Sequence, residues 1–415
     1  MLTIFLFFSL TNLASAQTPD TLRLTVPGAE KLFLQNNLFL LAQHYNVDIN
    51  KALVQQARYW DNPVLNTDQN IYDGKFFRHN KDYGQVYLQL TQLIKTAGKR
   101  NKQVQLANDG VLSAEQQLAD LLRNLRFTLR TDLSTLNQQL LTLKIYADET
   151  AALQTLVAGM DAQLQAGNIS QKDNIRIKAL LFNLQSDAAA LQSQIADTQK
   201  ELATLLQVKG DTVYVPVISN TPTGPVSYTL AQLLDSARAN RPDYQLAQTN
   251  LLAQQHNLSY QKALAVPDLN VGVEYDRFSS YVPNLWGLEI SLPIPLLNRN
   301  KGNIKAAQFA SSQAAVQVQQ AGRQAETDVI AAYNKLLTIQ KLQQAIPNDF
   351  MGQYDKLMQN MVQSYRQRQV SLLEFIDFFD AYKDATTNVI QQQSNLRNAA
   401  EELNFSVGAT ILTNN

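Results

Sequence analysis

The side chains able to do chemistry are few in this 415-residue chain. Its three histidines, His44, His79 and His256, share no metal-ligand spacing. There is no cysteine, which excludes disulfides and thiolate metal sites. Met351, Met358 and Met361 suggest a soft-metal relay, but methionines at helical spacing are more often core filler. No GxSxG, HExxH or phosphate-binding loop occurs. The expectation is a protein with no catalytic residues, no cofactor and no metal site. Lys and Arg total 35 and Asp and Glu total 35, so no basic excess supports a nucleic-acid partner.

The elements that carry these residues are long. Only 15 glycines and 12 prolines punctuate a chain rich in alanine, leucine and glutamine, which predicts a mostly helical protein. Residues Leu2 to Leu13 are apolar and Ala14-Ser15-Ala16 is a small-residue cleavage site, so residues 1–16 read as a secretory signal lacking its usual basic start. That stretch is shorter than the roughly 20 residues a spanning helix needs. No later run is apolar enough to span, which leaves periplasm, medium, or outer membrane by way of a β-barrel.

The rest is one plan written twice. Leu34-Gln35-Asn36-Asn37 corresponds to Arg238-Ala239-Asn240-Arg241, and both Asn36–Pro63 and Asn240–Pro267 span 27 residues. In each copy a helix is expected to end at the proline, which cannot continue it. Strand-like segments follow at 64–72 and 268–275, then aromatic-rich turns, then alternating strands at 85–90 and 285–292. Very long helices are expected over 99–162 and 301–363. In the first, Leu118, Leu122, Leu125, Leu129, Leu133, Leu136, Leu140 and Leu143 step by threes and fours, as nearly straight helices packed side by side require. Breaks at 165–170 and 366–371 precede returning helices at 171–207 and 372–407. The domain reading is a signal at 1–16, a first repeat at 17–207 with hairpin 64–93, and a linker at 208–228. A second repeat at 229–407 with hairpin 268–294 and a tail at 408–415 complete it.

Four strands in two hairpins cannot stand alone, since isolated hairpins are marginal and lipid tolerates no open edge. Outer-membrane barrels need about eight strands or more, so other copies must complete this one. Three chains would give twelve. Tyr72, Phe76, Phe77, Tyr83, Tyr87, Tyr275, Phe278, Tyr281 and Trp286 lie where a membrane girdle would place aromatics.

Over nearly its whole mature length the chain resembles the TolC-like outer-membrane efflux factors, most closely the branch serving heavy-metal and related RND (resistance–nodulation–division) pumps. The resemblance is carried by Leu90-Thr91-Gln92 leading to Gly98-Lys99-Arg100, and by Leu292-Pro293-Ile294-Pro295-Leu296-Leu297-Asn298-Arg299-Asn300-Lys301-Gly302. Tip segments Ala166–Ser170 and Tyr365–Glu374 add to it. It implies a mainly α chain whose coiled-coil hairpins and four strands complete a trimeric twelve-stranded barrel and an α-helical tunnel. The linker and the C-terminal end would form an equatorial belt. A homotrimer in the outer membrane is implied, opened by a periplasmic adaptor and powered by an inner-membrane pump. Adaptor docking maps onto Gly167, Asn168, Ile169, Ser170, Gln369, Val370 and Ser371. Gly167 also suits a helix C-cap, and Ser170 and Ser371 suit N-caps. The periplasmic gate maps onto Asp173, Tyr365, Glu374 and Asp377, where the acids equally suit a helix N-terminus. Two departures stand out. Arg368 stands where the pattern has glycine, which leaves the second tip's turn geometry and adaptor contact open, and Val370 replaces the basic latch residue, for which Arg366 or Arg368 could substitute. With no cysteine for a lipid anchor, the barrel is the expected anchor. The same fold could serve type I secretion or drug export. A pore-less periplasmic coiled-coil scaffold is the alternative of another class.

Overall fold

A computed structural model describes residues 20–72, 74–79, 83–210, 212–218, 227–279, 282–345 and 349–412. The signal segment 1–16, Tyr281 and much of the linker fall outside them.

Each repeat begins with a bent pair of helices. In the first, α1 (Val26–Asn36) and α2 (Leu38–Arg58) meet at Asn37; the side chain of Asn37 accepts from the Leu40 N–H at 3.1 Å and starts α2. Two strands, β2 (Val64–Gln69) and β3 (Val86–Ile94), separate this pair from α3 (Lys99–Gln165). At 67 residues α3 is roughly 100 Å long. It returns through α4 (Gln171–Leu206). A short strand β4 (Thr212–Pro216), in the valine-containing segment that reads as a linker or small extra strand region, then pairs in parallel with β1 (Asp20–Leu24) as a small sheet. Gln199 pins β4 to α4, accepting from the Tyr214 N–H at 2.9 Å and donating to its carbonyl at 2.8 Å.

The second repeat runs through α5 (Leu230–Asn240), α6 (Pro242–Leu264), β5 (Leu269–Phe278) and β6 (Pro283–Ser291). Here the single helix expected over 301–363 is two: α7 (Lys301–Ala345) and α8 (Phe350–Arg366). The sequence between them includes Pro347, outside the described residues, and proline is disfavoured in a helix interior because it lacks the N–H. The last helix, α9 (Leu372–Val407), returns alongside. The helices leading to Pro63 and Pro267 stop earlier than expected, at Arg58 and Leu264.

Three apolar cores hold the bundle. One joins α1, α3, α4 and the small sheet around Phe33, Leu133, Leu202 and Tyr214. A second joins α5, α7 and α9 around Leu233, Val329, Leu403 and Leu412. The third lies at the far end of the long hairpins, around Leu156, Ile177, Phe375 and Phe379.

The two hairpins form one antiparallel sheet in the order β2-β3-β5-β6, leaving β2 and β6 as open edges. Its register sorts side chains by chemistry. Leu65 faces Leu90, Leu90 faces Val273, Val273 faces Leu288 and Tyr275 faces Trp286, so one face is apolar. The other carries Asn66, Asp68, Gln89, Glu274, Asp276 and Glu289. Tyr87 belongs to this polar face, where its hydroxyl donates to Glu274 at 2.8 Å, and so does not sit among girdle aromatics as expected. Gln89 bonds Glu289 across the same face. Tyr72, Phe76 and Trp286 are exposed, Trp286 within 5.2 Å of Tyr275. An apolar face and an acidic face on one sheet with two open edges suit lipid outside, water inside, and closure by further copies.

Candidate functional site

Two helix–turn–helix tips sit side by side at the end of the long hairpins, and their backbones do the same work with different residues. At the first, Gly167 takes a left-handed conformation, φ 74°. Its N–H bonds the Leu164 carbonyl at 2.9 Å, and the Asn168 N–H bonds Gln163 at 2.9 Å. That paired closure is a Schellman motif, which satisfies carbonyls the helix end leaves orphaned. At the second, Arg368 takes the same conformation at φ 61°. Its N–H bonds Tyr365 at 3.0 Å, and the Gln369 N–H bonds Ser364 at 2.9 Å. The turn geometry that this arginine left open is therefore the same as at the first tip. An arginine fills a glycine's place, accepting local strain of about 1–3 kcal/mol.

The side chain of Arg368 explains part of what holds it there. Its Nη2 donates to Gln163 Oε1 at 2.7 Å, tying the second tip to the first. Nearby, Tyr365 stacks on Phe375 with centroids 5.0 Å apart, and its hydroxyl donates to Met160 Sδ at 3.4 Å. Tyr365 thus faces the first hairpin without bonding Asp173, although burial and then the Asp173 charge push its phenol up. Between the tips lies a cleft of about 630 Å³, lined by Asn168, Ile169, Ser170, Asp173, Tyr365 and Val370 among others. The structure thus gathers four of the seven expected docking positions and two of the four gate positions into one groove, with Arg366 and Arg368 at its wall.

The returning helices start on caps. Ser170 Oγ accepts from the Asp173 N–H at 3.1 Å and donates to the Asp173 carboxylate at 2.7 Å. Ser371 and Glu374 form a reciprocal capping box. Glu374 accepts from the Ser371 N–H and hydroxyl at 2.8 Å each, and the Ser371 oxygen accepts from the Glu374 N–H at 3.3 Å. The Ser371 N–H, then its hydroxyl, hold the Glu374 carboxyl below the usual range. Glu374 therefore both caps α9 and stays ionised and exposed. Asp377, one turn further on, is exposed as well.

Sequence reasoning missed the charge cluster above the tips. Lys383 on α9 reaches Asp187 on α4 at 3.3 Å, and Tyr382 donates to Asp355 on α8 at 2.7 Å. Glu149 on α3 lies buried among them with neither carboxylate oxygen hydrogen-bonded. The signal was present in part. Glu374, Asp377, Asp380 and Asp384 follow steps of three and four, one acidic stripe along α9. The histidines have structural company instead: His256 Nδ1 lies 2.6 Å from Asp109, joining α6 to α3. Met358 packs in the tip core.

With this geometry in place, comparison with known proteins gives a consistent answer. Residues 233–409 match the family model described as outer membrane efflux protein. The chain is 25% identical over 192 residues to the pyoverdine export outer membrane protein OpmQ of Pseudomonas putida, an alignment covering 43% of this chain and 38% of OpmQ. Its fold matches that of CusC, with a TM-score of 0.73 at 19% identity over 92% of each chain. It also matches the outer membrane protein VceC of Vibrio cholerae, with a TM-score of 0.72 at 15% identity over 93% of this chain and 96% of that one. The second repeat thus matches the outer membrane efflux protein model, and the chain shares the fold of these outer-membrane channels over nearly its whole length.

Proposed function

We propose that three copies of this chain form a passive exit duct through the outer membrane and the periplasm, serving a tripartite efflux system. The observation that carries this reading is the four-stranded sheet with two open edges, apolar on one face and acidic on the other. A soluble scaffold gains nothing from such sorting, whereas a closed barrel in lipid demands it. The long hairpins continue the wall into the periplasm. A periplasmic adaptor docks at the tips, through Gly167, Asn168, Ile169 and Ser170 and through Gln369, Val370 and Ser371. An inner-membrane pump, of the RND type, supplies the energy, and the duct performs no chemistry.

The gate is read as Asp173, Tyr365, Glu374 and Asp377. Threefold repetition of Glu374 and Asp377 would make an acidic ring that concentrates cations and can be blocked by multivalent ones. The capping box supports this role, because it keeps Glu374 charged and fixed in direction. Cargo choice is assigned to the pump, since a wall of glutamine, serine and asparagine discriminates weakly.

Size and single-channel conductance of the detergent-extracted protein test the reading. A trimer that opens small pores in planar bilayers, widened by Glu374→Ala with Asp377→Ala, is the expected result. A water-soluble protein that never enters bilayers would leave the pore-less scaffold instead. A trimer whose conductance the substitutions do not change would remove the gate and keep the duct.

A further inference from the structure

The chain has no net charge, yet its charges are unevenly placed. Where the sheet meets the helices, at residues 49–62, 94–108, 244–268 and 292–325, the acids are Asp61 and Asp268 alone. Both are already neutralised, Asp61 by Lys95 at 3.1 Å and Asp268 by Lys99 at 2.7 Å. Arg58, Arg100, Lys262, Arg299, Lys301 and Lys305 remain there with no carboxylate partner among the described residues. Several of these cations open α3 and α7, where the helix dipole disfavours positive charge. Among the described residues only aromatic rings and a carbonyl offset that arrangement, Trp60 under Arg100, Phe309 under Lys305 and the Pro295 oxygen at Arg299, and no opposite charge does.

Apolar exposure peaks at the same level. Leu292, Ile294, Leu296 and Leu297 are all more than half exposed, and Leu297 is fully so. Leu292 and Ile294 keep the parity of Trp286, Leu288 and Ile290, so they prolong the apolar face of β6 beyond its last sheet residue. Trp60 is 60% exposed at the end of α2, with the Arg100 guanidinium 4.0 Å from its ring centroid. Exposed apolar side chains, an indole and cations without carboxylate partners share this junction, and these are the groups that suit a membrane interface from acyl chain to phosphate.

Resting on the duct reading, which puts the sheet in the bilayer, we propose that this junction is a binding surface for anionic phospholipid in the periplasmic leaflet. The proline-rich loop 292–297 enters the acyl boundary, and Arg299, Lys301 and Lys305 pair with headgroup phosphates. The contact fixes the depth of the barrel by charge as well as by its apolar band. A second copy of the chain is the other occupant to consider for the loop, but it would have to bring acids, and the junction has none to spare.

The test is flotation of the detergent-extracted protein diluted into vesicles of phosphatidylcholine alone, or with phosphatidylglycerol added. The wild type is expected to partition about tenfold better into the anionic vesicles, a preference that disappears at roughly 1 M salt. Arg299→Gln/Lys301→Gln/Lys305→Gln is expected to enter both vesicle types equally, at the wild type's phosphatidylcholine level, with its oligomer size in detergent unchanged. A variant that keeps the anionic preference would overturn the proposal. So would a variant whose oligomer falls apart in detergent, since those side chains would then be facing another copy. A wild type that enters neither vesicle defeats the duct reading itself, and an equal entry into both defeats the lipid surface alone.

Discussion

Glu149→Gln should stabilise the protein at neutral and alkaline pH. Glu149 is 7% exposed, and neither of its carboxylate oxygens has a hydrogen-bond partner. Burial pushes its carboxyl up to about 7; Lys383 draws it back, while Asp148, Asp380 and Asp384 add to the rise. Against an ordinary value of 4.5, the folded protein keeps a proton that the unfolded chain has already released. Between pH 4.5 and about 7, stability therefore falls as pH rises, and above about 7 the loss is complete. A displacement of that size corresponds to roughly 3 kcal/mol. Glutamine has the same shape and no titration, so the variant escapes the loss. Unfolding in detergent, followed by circular dichroism at pH 5 and pH 8, measures it as a double difference. Asp132 is also pushed up to about 7, by burial and then Glu201, so the wild-type slope alone would mix the two. The variant is expected to lose about 3 kcal/mol less than wild type between the two pH values. Equal losses, or a variant less stable at pH 8, would refute the reasoning, because the carboxylate would then have a partner across the helices.

Two further outcomes follow from the tips and the kinks. Arg368→Gly relieves the left-handed strain and gives up the bond to Gln163, so its net effect on the unfolding midpoint should lie within about 1 kcal/mol. Arg368→Val keeps the strain and adds a branched side chain, and should cost about 2 kcal/mol or more in the same assay. Arg241→Ala removes a nearly fully buried guanidinium that bonds Asp243 at 2.6 Å, Asp328 at 2.9 Å and the Ser406 carbonyl at 3.3 Å. It should cost roughly 3–5 kcal/mol, because it leaves Asp328 without its cation and Asp243 with Arg123 alone, at 3.3 Å.

What the residues disclosed was what periodicity and punctuation encode. The returning helices, the strands and the tips have local signatures: leucines in steps of three and four, alternation, and serines at helix starts. Tyr87 was misassigned because aromaticity and position in a strand do not tell which face a side chain takes; the register with Asp276 does. The strand β1 alternates over only five residues, too few to announce a strand, and forms because β4 offers an edge about 190 residues away. Glu149 was invisible for a similar reason. Its burial comes from α9 and its acidic stripe, and no neighbour in sequence reports that packing. The turn at Arg368 could not be read from the residues because glycine is a preference for positive φ and not a requirement, where packing over-determines the backbone.

The interruption between α7 and α9's partner α8 has a cause that emerges from comparing the repeats. Asn37 and Arg241 occupy the same kink, and each reaches the end of the returning helix of its own repeat, at the Leu205 carbonyl and the Ser406 carbonyl. Left-handed residues also correspond: Gly98 with Asn300 where the long helices begin, Gly167 with Arg368 at the tips, and Gln207 with Gly408 at the far ends. From Gly98 to the cap at Ala166 is 68 residues, but from Asn300 to the cap at Gln367 it is 67. One residue fewer in a continuous helix turns every later side chain by about 100°. Phe375, Phe379 and Met358 could not then share a core with Leu156 and Ile177, as they do. The division into α7 and α8 falls between those two ends, where the sequence includes Pro347. The first hairpin is thus built on one 67-residue helix, while the second is built on two before its tip. If one hairpin moves when an adaptor docks, the divided one is the mechanical choice, and it is the one that carries Glu374 and Asp377.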